Sequence, residues 1–336
     1  MSTTKKDKTK APLFDIAIVG AGLAGSLSAY LLSKSGYKVC VIEKSRGSGG
    51  RASSKKITEE IHCDLGAPFI YAHHPESREI LDQLVKENIA APWKQLNKTD
   101  AQAFVGIPKM SSITRHWLTK ATLMTETRIH HIEQVNDQSN QPIWLLRDNK
   151  YQAIVRAKKV IITAPAPQTA MILATQADLA VLLLRASKAS KSYRSQWAMW
   201  LETKSSDLNA LIDLDDSPIA RMIKDNYKPM RSGGDVDRWV IQADAEWTNK
   251  HLDVDKNQVA QKLLQAFSEH TEQRVLKHGE PHRWLLSRFE ENRGNKPYAW
   301  SAEHNIGLAG DWLFQGDAEG ALLSALFLTN SIQNNS

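Results

Sequence analysis

Gly20-Ala21-Gly22-Leu23-Ala24-Gly25 stands between a short apolar run and a stretch of helical periodicity, and nothing else in the chain constrains the fold as much. Phe14 to Val19 is apolar without alternation, the pattern of a strand buried on both faces of a parallel sheet. From Leu23 to Lys34 the apolar positions Leu23, Leu27, Tyr30 and Leu31 recur at helical spacing, and Gly36 supplies a stop. Tyr37 to Ile42 reads as a second buried strand, which completes a βαβ unit. In such a unit Gly20 permits the tight turn, Gly22 lets backbone approach a pyrophosphate, and Gly25 lets the helix pack close to the sheet. Phosphates then lie over the free N–H groups at the positive end of the helix, so Gly20, Ala21, Gly22, Leu23, Ala24 and Gly25 are all candidate contacts. Glu43 ends the second strand, where its carboxylate can accept hydrogen bonds from ribose hydroxyls.

Two further elements point to FAD rather than NAD. Directly after Glu43 comes Lys44-Ser45-Arg46-Gly47-Ser48-Gly49-Gly50-Arg51, a second glycine-rich loop. Gly49 and Gly50 can present backbone to a phosphate, while Lys44, Arg46 and Arg51 bring positive charge. Near the carboxyl end, Gly307-Leu308-Ala309-Gly310-Asp311 ends a strand and is followed by Gly316, Gly320 and a helix expected from Ala321. Asp311 can hydrogen-bond a ribityl hydroxyl, a group FAD has and NAD lacks. A helix opening at Gly320 and Ala321 would aim its positive end at the flavin pyrimidine edge, where negative charge collects on reduction.

The 336 residues exceed one ordinary core and fit two domains. The expected fold is α/β, a Rossmann-type FAD-binding domain with a second, mostly antiparallel β substrate domain. Residues 1–12 read as a disordered basic tail, 13–66, 101–166 and 291–336 as the discontinuous FAD-binding domain, and 67–100 and 167–290 as the substrate domain. Helices are expected around Ile80 to Val85, after a cap at Ser111, and across Val259, Leu263, Leu264 and Phe267. Arg128 to Val135, Ile143 to Arg147 and Tyr151 to Arg156 read as antiparallel strands, with Lys159 to Thr163 a separate one. Trp-rich strands are expected near Gln196 to Leu201 and Arg238 to Ala243, the latter after a turn through Arg231-Ser232-Gly233-Gly234.

Composition narrows the function classes. The formal charge is +6, but Lys5, Lys6, Lys8 and Lys10 against Asp7 account for half of it, and the body shows no basic groove for nucleic acid. Leu13 to Leu32 imitates a membrane span, yet Asp15 and three glycines interrupt it and the glycine spacing explains it better. Cys40 and Cys63 are the two cysteines, so no disulfide framework is implied and the cytoplasm is the default compartment. His62-Cys63 with His73-His74 meets no metal-ligand spacing, and no metal is expected.

Several segments together resemble the bacterial renalase-like flavoproteins of the flavin amine oxidase superfamily. They are Glu43 to Lys55, Asp64-Leu65-Gly66-Ala67, Ala164-Pro165-Ala166-Pro167-Gln168 and Leu308 to Asp311. Ser217 to Ala220, Lys228-Pro229 and Trp247 add to them. The resemblance implies a two-domain fold like that of p-hydroxybenzoate hydroxylase, with non-covalent FAD at the interface. It carries Gly20, Gly22, Gly25, Glu43, Arg46, Gly50, Arg51, Ala67 and Asp311 over as FAD contacts. Renalases oxidise 2- or 6-dihydro isomers of NAD(P)H to NAD(P)+ and pass the electrons to O2, giving H2O2. Pro68-Phe69 departs from the usual Gln-Tyr of that family. A small flavin-containing amine oxidase and a non-catalytic flavin-binding protein are the competing readings. Catalytic side chains are not assigned, because hydride transfer to a flavin asks the protein mainly for stacking and orientation. Trp197, Trp200, Trp247, Trp284 and Trp300 are candidates to wall a flat nicotinamide site, with core packing the commoner role for each.

Overall fold

A computed structural model describes residues 11–231, 234–290 and 296–334. The expected tail, apart from Ala11 and Pro12, and Ser232-Gly233 of the expected turn lie outside them. Ten elements build the main sheets and helices of the chain. In chain order they are β1 (Leu13–Val19), α1 (Leu23–Lys34), β2 (Val39–Ile42), β3 (Ala153–Ile162), β4 (Tyr193–Lys204), β5 (Val236–Ala243), α2 (Lys256–Thr271), β6 (His282–Phe289), β7 (Ile306–Ala309) and α3 (Ala318–Asn334). The chain divides into two compact units: Met1–Gly50, Thr114–Ser192 and Glu290–Ser336 form the first, Arg51–Ile113 and Tyr193–Phe289 the second.

The first unit is built on an eight-stranded sheet whose centre runs β7-β3-β1-β2, each neighbour parallel. Ile18 stands beside Val41 on one side and Ile161 on the other, and Ile161 beside Gly307. The four strands therefore end level with one another. β1, β2 and β7 are buried along nearly their whole length, which is why their sequences do not alternate. Ala29 and Leu32 of α1 and Leu328 and Ile332 of α3 pack with Ile16, Ile18, Val41 and Ile161 of the sheet in one core. β3 is one strand, not the two expected from the sequence. Its first half pairs antiparallel with Pro142–Asp148 and its second half parallel with β1, so the polar pair Lys158-Lys159 interrupts the pattern without ending the strand.

The second unit carries an antiparallel sheet in which β5 and β6 both pair with β4. Period-two alternation divides the faces of β4: Trp197, Met199 and Leu201 pack on Val259, Leu263 and Phe267 of α2, while Ala198 and Trp200 pack on Cys63 and Leu65. Leu263 and Phe267 are fully buried, and each such burial contributes roughly 2–3 kcal/mol. A three-stranded sheet places Gln102–Gly106 between Ile70–Ala72 and Ala90–Pro92, flanked by the helix Pro75–Lys86.

The division differs from the boundaries read from sequence. Residues 101–113 fall in the second unit because Gln102–Gly106 is the central strand of its small sheet. Residues 51–66 fall there too, since Cys63 and Leu65 close a core with Ala198, Trp200 and Val240. Residues 167–192 belong to the first unit, where the helix Ala166–Leu173 packs on the strand Ile129–Asn136.

Candidate cofactor site

The ends of the parallel strands in the first unit gather the glycines. Gly20 leaves β1 with φ at +108°, a conformation that favours glycine, and its N–H donates to the Ile42 carbonyl at 2.9 Å. A Cβ on Gly25 would lie 2.0 Å from the Gly20 carbonyl oxygen, so the helix seats directly on the turn. Gly22 is the opposite case. A Cβ there would meet nothing within 4 Å, which leaves its backbone open to an approaching ligand. The three glycines thus divide into one turn, one open approach and one close packing contact.

The second glycine loop folds onto the first. Gly49 N–H donates to the Ala21 carbonyl at 2.8 Å, and a Cβ on Gly50 would sit 3.2 Å from Gly22 Cα. The Ser48 and Thr114 hydroxyls, 3.0 Å apart and buried, tether this loop from behind. Glu43 does more than its position in the sequence suggests. Its Oε2 accepts the Ala21 N–H at 2.9 Å and its Oε1 the Ser45 N–H at 2.8 Å, so it clamps both loops. Two of the roughly four lone-pair sites of a carboxylate remain for ribose hydroxyls. Lys44 and Arg46 are exposed on the loop, and Lys44 Nζ donates to Gln168 Oε1 at 3.3 Å.

Asp311 lies at the same edge. Leu308 is level with Ile162 and Ile162 with Val19, so Asp311 rises three residues beyond that level, two strands away from β1. At about 4.8 Å per strand this is a lateral offset of about 10 Å. Asp311 is buried and opens a short 3-10 turn, Asp311–Leu313. Gly310 precedes it with φ at +155° and donates its N–H to Ser324 Oγ at 2.8 Å. The following helix starts at Ala318, three residues earlier than expected, because Asp317 closes its first turn. The Asp317 side chain accepts the Gly320 N–H at 2.7 Å and its carbonyl accepts the Ala321 N–H at 3.1 Å. Gly320 and Ala321 therefore sit inside the first turn with both N–H groups engaged.

Arg51 and Ala67 lie in the second unit, bonded to each other: the Ala67 N–H donates to the Arg51 carbonyl at 2.8 Å. Arg51 Nη1 also donates to the Ser287 carbonyl at 3.3 Å. Of the tryptophans, Trp197 and Trp200 are buried, Trp247 stacks on His251 at 4.1 Å, Trp300 packs on the core of the first unit, and Trp284 donates Nε1 to the Leu65 carbonyl at 3.1 Å.

Sequence reasoning missed two residues of the first unit. The Thr163 hydroxyl, at the end of β3, lies 3.0 Å from the Val19 carbonyl and 3.1 Å from that of Gly20, holding the turn from the neighbouring strand. Trp312, fully buried, donates Nε1 to the Ala164 carbonyl at 3.2 Å. The Ala164-Pro165 break was the available signal for both.

Comparison with known proteins agrees with this geometry. Residues 18–84 match the NAD(P)-binding Rossmann-like domain. Over 72 residues the chain is 38% identical to "Probable flavin-containing monoamine oxidase A" of Dictyostelium discoideum, covering 21% of this chain and 16% of that protein. Over 75 residues it is 39% identical to the L-amino-acid oxidase of Echis ocellatus, covering 22% and 15%. The matched stretch thus spans less than a fifth of either relative. Among solved structures, a protein assigned as a protoporphyrinogen oxidase in Exiguobacterium sp. 255-15 has a TM-score of 0.67 at 11% identity, over 97% of this chain and 100% of that one. Wild-type putrescine oxidase bound to putrescine has a TM-score of 0.62 at 10% identity, over 96% and 100%. The sequence matches thus mark a Rossmann-like domain at residues 18–84, and the solved structures share the fold of the chain.

Proposed function

We propose that the protein is an FAD-dependent oxidase of the renalase type, oxidising 2- or 6-dihydro isomers of NAD(P)H to NAD(P)+ and reducing O2 to H2O2 in the cytoplasm. The observation that carries the cofactor assignment is the pairing of two glycine loops, Gly49 N–H to Ala21 carbonyl, beside an open Gly22 at the ends of the parallel strands. That cradle suits a pyrophosphate, because backbone rather than side chain meets the ligand there. In this reading Gly20 to Gly25 and Gly50 form the cradle, Lys44, Arg46 and Arg51 offset phosphate charge, and Glu43 takes ribose hydroxyls. Asp311 takes a hydroxyl of the ribityl chain. Ala67 borders the ring, and Gly320 and Ala321 border its far edge through packing rather than through their engaged N–H groups. Bound flavin would supply the hydride-accepting ring. A non-covalent bond fits the cysteines: both are buried, burial pushes the Cys40 thiol up to about 12, and burial also raises that of Cys63. Neither thiol is a nucleophile at neutral pH.

Anaerobic mixing with 6-dihydro-NAD and with the 2-isomer tests the substrate. The flavin should bleach within seconds with at least one of them, and no bleaching with either removes the renalase reading. The stretch shared with the monoamine oxidase favours a second reading, a small amine oxidase, which an amine panel coupled to peroxide detection would reveal. Flavin that dithionite reduces but neither substrate class does would leave a non-catalytic binding protein.

A further inference from the structure

In the second unit a closed cage of charge lies beside the Arg51 and Ala67 pair. Asp64 is fully buried and its accepting positions are all taken. Its Oδ1 accepts the Ser54 hydroxyl and, at 3.1 Å, the Met110 N–H; its Oδ2 receives Lys228 Nζ at 2.9 Å and Arg231 Nη2. Asp225 completes the cage, 2.7 Å from Lys228 Nζ through Oδ1 and bonded to Arg231 Nη1 through Oδ2. Two acids and two bases cancel, and Asp64 has no accepting position left to serve a ligand.

The three residues after Asp64 are held one by one. The Leu65 carbonyl accepts Trp284 Nε1 at 3.1 Å, the Gly66 carbonyl accepts Gln242 Nε2 at 2.7 Å, and the Ala67 N–H reaches the Arg51 carbonyl. At Gly66 a Cβ would lie 1.8 Å from the Arg51 carbonyl oxygen, so the two stretches touch through backbone. Buried ion pairs are a poor source of stability, because desolvation offsets their attraction, and their best attested use is to fix register.

We propose that the Asp64, Asp225, Lys228 and Arg231 cage is a positioning device that sets the Arg51 backbone against Ala67 and so fixes both residues for FAD. This rests on the FAD reading above, in which the two are cofactor contacts. The residues of the cage are positioning residues, acting on the cofactor only through the 51–67 stretch.

The test compares matched variants on the full-length protein. R231K keeps the charge but loses the fork that bridges both carboxylates. S54A removes one donor to Asp64 and is the milder variant should R231K fail to fold. S206A is the control, because the Ser206 hydroxyl donates at 2.7 Å to Asp237, whose buried pair with Lys224 lies outside the cage. R231K should raise the FAD dissociation constant about tenfold and S54A about fivefold, with faster exchange of the Ala67 amide in both, while S206A leaves FAD affinity within about twofold. Unchanged affinity in S54A and R231K, or an equal loss in S206A, would overturn the positioning role alone. A wild type that binds no FAD would overturn the reading above and this role with it.

Discussion

Two stretches of this chain hold backbone in unusually close contact, and they do it by different means. In the first unit Gly25 meets the Gly20 carbonyl, and the surrounding bonds are those of neutral backbone, hydroxyl groups and the single carboxylate of Glu43. In the second unit Gly66 meets the Arg51 carbonyl, and beneath it lie two carboxylates, a lysine and an arginine removed from water. The first arrangement leaves Gly22 open. The second rests on buried charge, and every accepting position of its Asp64 is taken. A ligand can be received by the first. The charged cage of the second can only hold its neighbours in place.

Substitutions should separate the two modes. D64N leaves Lys228 and Arg231 with half their compensation, and breaking a buried pair this way should cost about 3–5 kcal/mol in urea unfolding at neutral pH. The pH dependence has a definite sign. Burial alone would raise the Asp64 carboxyl, but Lys228, Arg231 and the Ser54 hydroxyl hold it well below the usual carboxylate range. Its folded value therefore lies below its unfolded value near 3.9, so the stabilisation is complete above about pH 4 and is lost as the pH falls further. Wild-type stability should drop in that acid range, and D64N should drop less steeply.

In the first unit, G25A forces backbone apart at the turn and should cost about 2–3 kcal/mol, with cofactor affinity lost alongside. E43Q replaces one accepting oxygen by an NH2 group facing a backbone N–H, for a loss of about 1–3 kcal/mol by the same unfolding assay. The sharpest contrast comes from the smallest change in stability. G22A adds a methyl group in open space with φ at −78°, so unfolding should move by less than about 0.5 kcal/mol. Cofactor affinity should nevertheless fall about tenfold, which calorimetric titration with FAD would show. If G22A and G25A lose stability equally, the distinction between an open approach and a packed contact fails.

What was legible in the sequence is what a local window contains. The βαβ unit could be read because its strands are short buried runs and its glycines have fixed spacing, and the structure has Leu13–Val19, Leu23–Lys34 and Val39–Ile42 there. The antiparallel strands at Trp197 and Trp239 could be read from aromatic and β-branched content. β3 was read as two strands because one element serves two pairings, a fact that no local window contains. The cage was invisible for a similar reason: Asp64, Asp225, Lys228 and Arg231 are ordinary polar residues until the fold brings them together. Thr163 was hidden at the end of an apolar run, where its hydroxyl looked incidental. The early start of α3 turned on one side chain, Asp317, closing a turn that seemed to open at Gly320.

The central claim, that paired glycine loops hold a flavin dinucleotide without a covalent bond, is tested most directly by the visible absorption of the purified full-length protein before and after acid precipitation. The account predicts a yellow protein, or one that turns yellow on adding FAD, whose colour passes entirely into the acid supernatant. A protein that stays colourless with excess FAD, or a precipitate that keeps the colour, would contradict it.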